Sequence, residues 1–306
     1  MERVGILGSG LMGSTIALSF ALGRVETLVV DVDLKAIARG NRLIESSLDV
    51  LREEGVLKEP VEEVINRISF GLDLDSLRDR TFVIEAVPEV PDLKKKVFED
   101  LDFLLEREAI IASNTSGINI FRLLPERRRE YGVIAHFFAP AHIIPLVGVV
   151  KGPDISEETV NRTLRLLQGI GKIPLVLPGY APGFLVNRIQ RAIGETVLQI
   201  IEEEYASPEE IDKAIKFTLG IRLPIIGVVQ TFDFQGLDML YDAMRFYGKV
   251  FRFIEEKVKQ GHLGVKTSKG IYDYGGRSEE EISRERDRKF LRLFEFLKSI
   301  KAFQPL

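Results

Sequence analysis

The stretch Val4-Gly-Ile-Leu-Gly-Ser-Gly-Leu-Met-Gly13 decides the fold, because it joins a short apolar run to a segment with helical spacing. Gly8, Gly10 and Gly13 form the pattern G-x-G-x-x-G at this junction. The first glycine of such a pattern allows a tight turn, the second lets the backbone approach a pyrophosphate, and the third permits close packing of helix on strand. The stretch therefore predicts a dinucleotide-binding turn. The helix N-terminus that would face the phosphates carries Leu11 and Met12.

Asp31 stands at the end of the next apolar run, residues 27–30. A carboxylate at this position accepts hydrogen bonds from the ribose hydroxyls of adenosine and repels a 2′-phosphate, so we expect NAD and not NADP. The alternative is that the glycines serve only a strand turn and that Asp31 caps the next helix. The strand, helix and strand that surround these residues favour NAD binding.

Strand-length apolar runs alternate with helical patterns through the first part of the chain. Parallel strands need crossover connections, so this alternation predicts an α/β fold with a doubly wound, mainly parallel sheet and a helical arm. Further strands are predicted at residues 82–86, 109–112, 133–138, 146–150 and 173–177. Helices are predicted at residues 34–54 and 61–68, which form the arm, and at 93–105, 118–124 and 156–169.

Residues 178–183, Pro-Gly-Tyr-Ala-Pro-Gly, interrupt this alternation, and nearly every later segment has helical spacing. A chain of 306 residues is also long for a single hydrophobic core. We therefore predict two domains, a dinucleotide-binding domain at residues 1–181 and an all-α domain at residues 182–306.

Composition excludes several kinds of function. A net charge of −4 gives no basic excess, so nucleic acid is not an expected partner. The absence of cysteine excludes disulfides, thiolate metal sites and a cysteine nucleophile, and the three histidines show no spacing typical of metal ligands. Residues 131–150 approach membrane-span length but contain two histidines and two prolines, which favours a buried core segment. With no secretory signal visible, we expect a cytoplasmic protein, whose abundant Glu, Lys, Arg and Ile are typical of thermophiles.

Six motifs recur in the order in which 3-hydroxyacyl-CoA dehydrogenases carry them, so the chain resembles that family over almost its whole length. The resemblance implies a Rossmann domain followed by a helical domain that forms a homodimer. It also implies that NAD and an acyl-CoA meet between the domains, as in fatty acid β-oxidation. The motifs are Gly5-Ile-Leu-Gly-Ser-Gly-Leu-Met-Gly13, Glu85-Ala-Val-Pro-Glu89 with Lys94, Ser113-Asn-Thr-Ser116, His136-Phe-Phe-Ala-Pro140, Pro182-Gly-Phe-Leu-Val-Asn-Arg188 and Lys266-Thr-Ser-Lys-Gly270.

The resemblance assigns roles to the matching positions. His136 would accept the hydroxyl proton, and Ser116 and Asn187 would hydrogen-bond the substrate oxygen or the nicotinamide side. Hydride can leave carbon only as the hydroxyl proton is removed, and imidazole titrates near the working pH. Hydroxyl and amide groups can stabilise the carbonyl oxygen that forms. The residues that would contact the cofactor are Glu89, Lys94 and Lys266.

Each of these residues also has a purely structural interpretation. His136 could be a hydrogen-bonded core histidine of the strand at 133–138. Asn187 could cap or bridge the helix that Pro182 begins. Ser116 and Asn114 could cap the helix that starts at Ile118, and the lysine cluster at 94–96 could form the solvated face of a helix.

The chain departs from the family pattern beside the proposed base. The family has Leu-Val-Glu-Val, in which glutamate orients the imidazole, whereas this chain has Pro145-Leu-Val-Gly-Val149. Gly148 therefore replaces the carboxylate. The loss of the equivalent group in a serine-protease triad costs on the order of 10⁴ in turnover. Another acid could take its place, catalysis could be slow or decayed, or the reaction could differ.

Other departures bear on the substrate. Ala139 replaces the family's asparagine and Pro145 its usual lysine. Residues 144–147, 220–222 and 226–231 resemble the gulonate dehydrogenase and λ-crystallin branch and the carnitine relatives, which use small free hydroxy acids. Ser47 favours acyl-CoA, because it occupies a position that contacts CoA in the family. Glu54 argues against acyl-CoA as the substrate, because it stands where a basic residue is expected and would repel a phosphate of CoA. Both substrate classes remain open, with acyl-CoA preferred.

Overall fold

The strand-length runs form one eight-stranded sheet in the computed structural model, which describes residues 2–305. The strands are β1 (Val4–Leu7), β2 (Thr27–Val30), β3 (Ile68–Gly71), β4 (Phe82–Glu85), β5 (Ile110–Ser113), β6 (Gly132–Phe137), β7 (Leu146–Val150) and β8 (Ile173–Leu177). Their order across the sheet is β3-β2-β1-β4-β5-β6-β7-β8. All neighbouring strands are parallel except β6 and β7, which are antiparallel. The predicted mainly parallel sheet is confirmed.

Helices separate the strands and then make up the rest of the chain. Between the strands lie α1 (Leu11–Leu22), α2 (Leu34–Glu53), α3 (Val61–Ile65), α4 (Pro91–Leu104) and α5 (Glu157–Gly169). After β8 come α6 (Val186–Glu202), α7 (Pro208–Phe217), α8 (Leu219–Gln235), α9 (Leu237–Phe246), α10 (Arg252–Lys259) and α11 (Glu279–Ser299). Short 3₁₀ helices lie at Leu74–Leu77, Ile120–Arg122, Glu126–Tyr131 and Val265–Thr267. The predicted all-α C-terminal part is therefore confirmed.

The sheet is buried on both faces, as a doubly wound sheet requires. Side chains alternate between the faces along each strand. On one face Ile6 belongs to a core cluster with Ile16 and Phe20 of α1. On the other face Leu7 belongs to a cluster with Phe98 of α4. Apolar side chains fill both faces, so polar groups concentrate at the strand ends, where the turns to the helices begin.

Two predicted helices differ from the structure. The helix predicted at residues 61–68 ends at Ile65, and Ile68 begins β3, which pairs with β2. Pairing with the sheet edge outweighs the helical spacing of these few residues. The helix predicted at residues 118–124 is only the 3₁₀ turn Ile120–Arg122. Pro125 follows directly and disfavours helical geometry at Leu124.

The packing divides the chain within α6, between Ile193 and Gly194. The domain boundary predicted near residue 181 falls in the loop between β8 and α6. The second unit has a small core of its own, in which Phe234 packs against Val265 and Tyr274. The buried Asp233 accepts hydrogen bonds there from the Ile271 amide at 2.8 Å and the Tyr274 hydroxyl at 3.0 Å.

No single described helix is long and apolar enough to cross a membrane, although the bent pair α7 and α8 meets that test of length and composition together.

Candidate functional site

The glycine turn between β1 and α1 has the geometry that the sequence predicts. Gly8 has a φ of +105°, and a Cβ added to Gly13 would lie 1.8 Å from the Gly8 carbonyl oxygen. The turn therefore requires glycine at both positions. A Cβ added to Gly10 would meet nothing within 4 Å. This open backbone at the N-terminus of α1 fits the approach of a pyrophosphate, so the turn suits NAD.

Asp31 follows β2 directly and faces this turn. Its Oδ2 atom accepts hydrogen bonds from the Ser9 amide at 2.7 Å and from the Ser9 hydroxyl at 2.8 Å. The residue that caps α2 is Asp33, whose side chain accepts from the Lys35 amide. The alternative that Asp31 serves as the helix cap is therefore wrong. The other Asp31 oxygen, Oδ1, accepts from the Asp33 amide at 3.1 Å, so the carboxylate is held beside the turn where the sequence predicts contact with ribose.

A cavity of about 700 Å³ opens at the carboxyl ends of β4, β5 and β6, where sheets of this kind bind ligands. Its wall is mainly apolar, with a few polar groups that converge on the same space. That composition is typical of a small-molecule site. Five residues predicted from the sequence line it: Met12, Glu89, Ser116, His136 and Asn187. Other lining residues are Ala86, Val87, Asn114, Phe137, Phe138, Ala139, Ile144, Leu146, Val186 and Gln190.

His136 lies on β6 with only 7% of its surface exposed. The rings of Phe138 and Phe184 pack edge-on against the imidazole, with centroids 4.5 Å and 5.5 Å away. Burial lowers the pKa of His136 below its usual value, and the negative charge of Glu89 partly offsets that shift. No side chain or carbonyl within residues 2–193 hydrogen-bonds the imidazole, so the alternative of a hydrogen-bonded core histidine does not fit. A neutral ring on the cavity wall is able to accept a proton.

Gly148 lies directly opposite His136 in the antiparallel pair of β6 and β7. A Cβ added to Gly148 would lie 3.8 Å from the His136 Cβ, an ordinary contact. A Cβ is therefore accommodated at this strand position, next to the residue that carries the imidazole. His142, six residues after His136, is a weak candidate for a replacement partner. It lies in the following loop, where its own Nδ1 is buried without a hydrogen bond.

Ser116 and Asn187 are joined by a direct hydrogen bond, because the Asn187 Nδ2 donates to the Ser116 carbonyl at 3.0 Å. Asn187 thus ties α6 to the loop after β5, and α6 begins at Val186, not at Pro182 as the structural alternative assumed. Asn114 accepts from the Phe137 amide at 2.8 Å, which links the ends of β5 and β6.

Thr115 is a site residue that the sequence analysis missed. Its hydroxyl oxygen accepts from the Ile118 amide at 2.9 Å, which orders the loop after β5. The 3₁₀ helix Ile120–Arg122 has no side-chain cap, so the capping role considered for Ser116 and Asn114 is not filled. The Thr115 hydroxyl also donates to the Glu89 carboxylate at 2.5 Å. The sequence signal for the hydrogen bond to Ile118 was the threonine three residues before it, a spacing at which a hydroxyl oxygen can accept from a backbone amide.

Lys94 lies between two carboxylates, those of the fully buried Glu85 and the exposed Glu89. The Lys94 ammonium lies 2.6 Å from Glu85 Oε1 and 3.2 Å from Glu89 Oε2. Lys94 is 1% exposed, so the interpretation of the lysine cluster as a solvated face is wrong for Lys94, although it holds for the exposed Lys95 and Lys96. The sequence analysis did not single out Glu85. It could have been noticed as a carboxylate inside an apolar strand, where charged residues are rare.

Glu89 is held in its ionised form. Burial alone would raise its pKa, but the Thr115 hydrogen bond and the charge of Lys94 more than offset burial, and the pKa lies below its usual value. Its Oε1 atom also accepts from the Ser116 amide at 2.9 Å and the Gly117 amide at 3.0 Å. Glu89 therefore places a fixed negative charge on the cavity wall.

Within the first unit, seven predicted residues do not line the cavity: Gly8, Gly10, Leu11, Gly13, Asp31, Ser47 and Lys94. Ser47 donates to the Leu43 carbonyl within α2 at 2.8 Å. Leu11 is exposed at the start of α1. Lys266 belongs to the second unit, where its ammonium pairs with Asp238. Within residues 2–305 no three histidine or carboxylate side chains are grouped as metal ligands.

Both parts of the chain match models of known protein families. The family model described as "3-hydroxyacyl-CoA dehydrogenase, NAD binding domain" matches residues 3–179, and the one described as "3-hydroxyacyl-CoA dehydrogenase, C-terminal domain" matches residues 183–274. A probable 3-hydroxybutyryl-CoA dehydrogenase of Deinococcus radiodurans is 34% identical over 281 residues, which cover 89% of this chain and 100% of the relative.

Two further similarities span more of the chain. A 5-formyl-3-hydroxy-2-methylpyridine 4-carboxylate 5-dehydrogenase of Mesorhizobium japonicum is 28% identical over 304 residues, 95% of this chain and 96% of the relative. The crystal structure of a 3-hydroxyacyl-CoA dehydrogenase from Archaeoglobus fulgidus superimposes with a TM-score of 0.80 at 30% identity, over 97% of this chain and 99% of that one. Substrates among these relatives therefore include both a CoA thioester and a free carboxylic acid.

Proposed function

The chain belongs to the 3-hydroxyacyl-CoA dehydrogenase family, and we propose that within it the protein oxidises L-3-hydroxyacyl-CoA to 3-ketoacyl-CoA. It is an NAD-dependent oxidoreductase of that type. The type of reaction rests on His136, whose buried ring, without a hydrogen bond, shares one cavity with Ser116 and Asn187. This combination supplies a proton acceptor beside two groups that can hold an oxygen. Acyl-CoA as the substrate is supported by the similarity to a probable 3-hydroxybutyryl-CoA dehydrogenase.

Residues of this chain divide the work as follows. The turn from Gly8 to Gly13 would hold the pyrophosphate of NAD, and the Asp31 carboxylate would accept hydrogen bonds from the ribose hydroxyls. NAD held there would supply the hydride acceptor for the hydroxyl-bearing carbon. His136 takes the hydroxyl proton, and the Ser116 hydroxyl and Asn187 amide donate to the oxygen as it becomes a carbonyl. Glu89 and Lys266 are proposed on the cofactor side, and Ser47 on the CoA side.

A small free hydroxy acid is the second candidate substrate. The described part of the cavity wall carries no cationic side chain for CoA phosphates, and Ser47 does not line it. The relative from Mesorhizobium japonicum, named for a pyridine carboxylate, adds support for an acid. The Pro145 stretch, which resembles gulonate and carnitine relatives, points the same way.

Decayed catalysis is the third candidate, favoured by Gly148. In that case the chain would bind NAD and turn over no hydroxyacyl substrate.

NADH formation separates these candidates. We expect purified protein to reduce NAD with short or medium L-3-hydroxyacyl-CoAs, assayed also at elevated temperature. Saturable NADH production from gulonate or carnitine but not from acyl-CoA would select the second candidate. NADH binding without turnover on either class would select the third.

A homodimer is part of the proposal. Apolar side chains on the helices of the second unit are exposed, including Leu198, Phe217, Met239 and Phe246. Apolar surface of this extent is typical of a protein interface. Light scattering is expected to give twice the chain mass, and a monomer would contradict the dimer. A cytoplasmic location remains a prediction from the sequence.

A further inference from the structure

We propose that Gln190 is a substrate-binding residue that determines specificity, because its side-chain amide donates a hydrogen bond to the carbonyl oxygen at C1 of a 3-hydroxyacyl thioester. This inference rests on the proposed dehydrogenase function and deepens it. It names a group that recognises the substrate beside the reacting carbon, and it adds a residue that the sequence analysis did not single out.

Gln190 lines the cavity from α6, three positions after Asn187. Residues three apart on a helix share one face, with about 5–6 Å between their Cβ atoms. The side-chain amide of Gln190 is exposed and makes no hydrogen bond to any residue between 2 and 193. An amide side chain has two N–H donors and an oxygen that accepts. All of these are therefore available to a molecule in the cavity.

The other amide and carboxylate groups of the wall already have partners in the protein. Asn114 accepts from a backbone amide at 2.8 Å, and Asn187 donates to a backbone carbonyl at 3.0 Å. Both carboxylate oxygens of Glu89 have partners as well. Within the described part of the first unit, His136 and Gln190 are thus the lining residues whose polar side-chain atoms have no hydrogen bond. His136 is assigned to the hydroxyl proton, which leaves Gln190 for another part of the substrate.

The chemistry of a 3-hydroxyacyl group indicates which part that is. Such a group has a hydroxyl at C3 and a carbonyl oxygen at C1, with a single carbon between the two carbons that bear them. In the proposed reaction Asn187 serves the C3 oxygen. A second amide one helical turn away on the same face of α6 matches the second oxygen. Gln190 supplies that amide.

The charge of the wall matches a neutral carbonyl better than a carboxylate. Glu89 is held in its ionised form, because its partners keep its pKa below the usual value. None of the lining residues is a lysine or an arginine. The lining side chains therefore oppose an anion, whereas an uncharged amide can donate to an uncharged thioester carbonyl without a counterion. A free carboxylate at C1 would have the same oxygen but would lack a cation on this wall.

Kinetics with a matched pair of ligands test this assignment. One ligand is L-3-hydroxybutyryl-CoA, and the other is its thioether analogue, in which a CH₂ group replaces the C1 carbonyl, measured as a competitive inhibitor. In Gln190→Met we expect kcat/KM for the thioester to fall by about tenfold, the effect of one hydrogen bond. The inhibition constant of the thioether should stay within about twofold of wild type. Gln190→Glu, of equal size but without a donor, should lower kcat/KM for the thioester further.

Gln168→Met is the matched control, because Gln168 is an exposed glutamine on α5 that does not line the cavity. It should match wild type with both ligands. NADH affinity should be unchanged in Gln190→Met, since the glycine turn and Asp31 are untouched. Weakened NADH affinity in that variant would overturn the proposal, because it would assign Gln190 to the cofactor.

Two other results would overturn the proposal. One is an equal loss for thioester and thioether in Gln190→Met, because the thioether has no C1 oxygen to lose contact with. The other is a wild-type kcat/KM for the thioester in the same variant. Failure of the wild-type protein itself to oxidise L-3-hydroxybutyryl-CoA or any other 3-hydroxyacyl-CoA would instead overturn the proposed function.

Discussion

His136 and Gly148 face each other across the antiparallel strands β6 and β7, with 3.8 Å between the His136 Cβ and a Cβ placed on Gly148. The family pattern has a glutamate at this position, and this chain has a glycine. Within residues 2–193 no other carboxylate hydrogen-bonds the imidazole. The protein therefore departs from its family at this residue pair, and a substitution at Gly148 tests the effect of that departure on the catalytic rate.

Gly148→Glu should increase turnover, because the new carboxylate would orient the imidazole and stabilise its protonated form. We expect a gain between about tenfold and the order of 10⁴ that loss of the equivalent partner costs in a serine-protease triad. The acid limb of kcat/KM should move to higher pH. Gly148→Gln, of equal size and without charge, is the control and should give no such shift. Steady-state kinetics over a pH series measures both, and unchanged turnover in Gly148→Glu would show that another group already serves His136.

The pH dependence of the natural protein follows from the buried imidazole. Burial lowers the pKa of His136 below the ordinary 6.5, with Glu89 opposing this in part. Oxidation needs the neutral ring. The value of kcat/KM for oxidation should therefore not change with pH around pH 7, and it should fall only as the pH drops through a value below 6.5. Reduction of the keto product needs the protonated ring and should decline as the pH rises through that same value. An acid limb above pH 7 for oxidation would contradict this assignment.

Substitutions at Gly10 and Gly13 should separate cofactor binding from folding. Gly10→Ala places a methyl group in open space, so the free energy of unfolding should change by less than about 1 kcal/mol, while NADH affinity falls by at least about tenfold. In Gly13→Ala the new Cβ meets the Gly8 carbonyl oxygen, and unfolding should become easier by about 3 kcal/mol. Thermal unfolding and NADH titration measure the two effects. Undiminished NADH affinity in Gly10→Ala would argue against a pyrophosphate at this turn.

The sheet could be predicted because apolar runs mark its strands. Glu89 and Ser116 were assigned through the family resemblance, and in the structure they follow parallel strands whose carboxyl ends share one edge. Strand β3 could not be predicted in this way, since Ile68 is a strand residue only because β2 offers it a partner.

The pairing of Lys94 with Glu85 needed the structure for a different reason. Glu85 and Lys94 are nine positions apart, and their contact depends on how α4 packs against β4. The family motif singled out Lys94, but the charge pattern of Lys94, Lys95 and Lys96 does not show which of them is buried, because burial is a property of the assembled fold. Thr115 was overlooked for a similar reason, since its two hydrogen bonds become visible only once Glu89 and Ile118 are placed around it.

Turnover of the His136→Ala variant tests the central assignment most directly. NADH formation from NAD and the substrate class that the wild-type protein uses should fall by about 10²- to 10⁴-fold, because the proton acceptor is removed. NADH affinity, measured on the same preparation, should stay close to that of the wild type, since the glycine turn and Asp31 are untouched. NADH formation at the wild-type rate by His136→Ala would contradict the account.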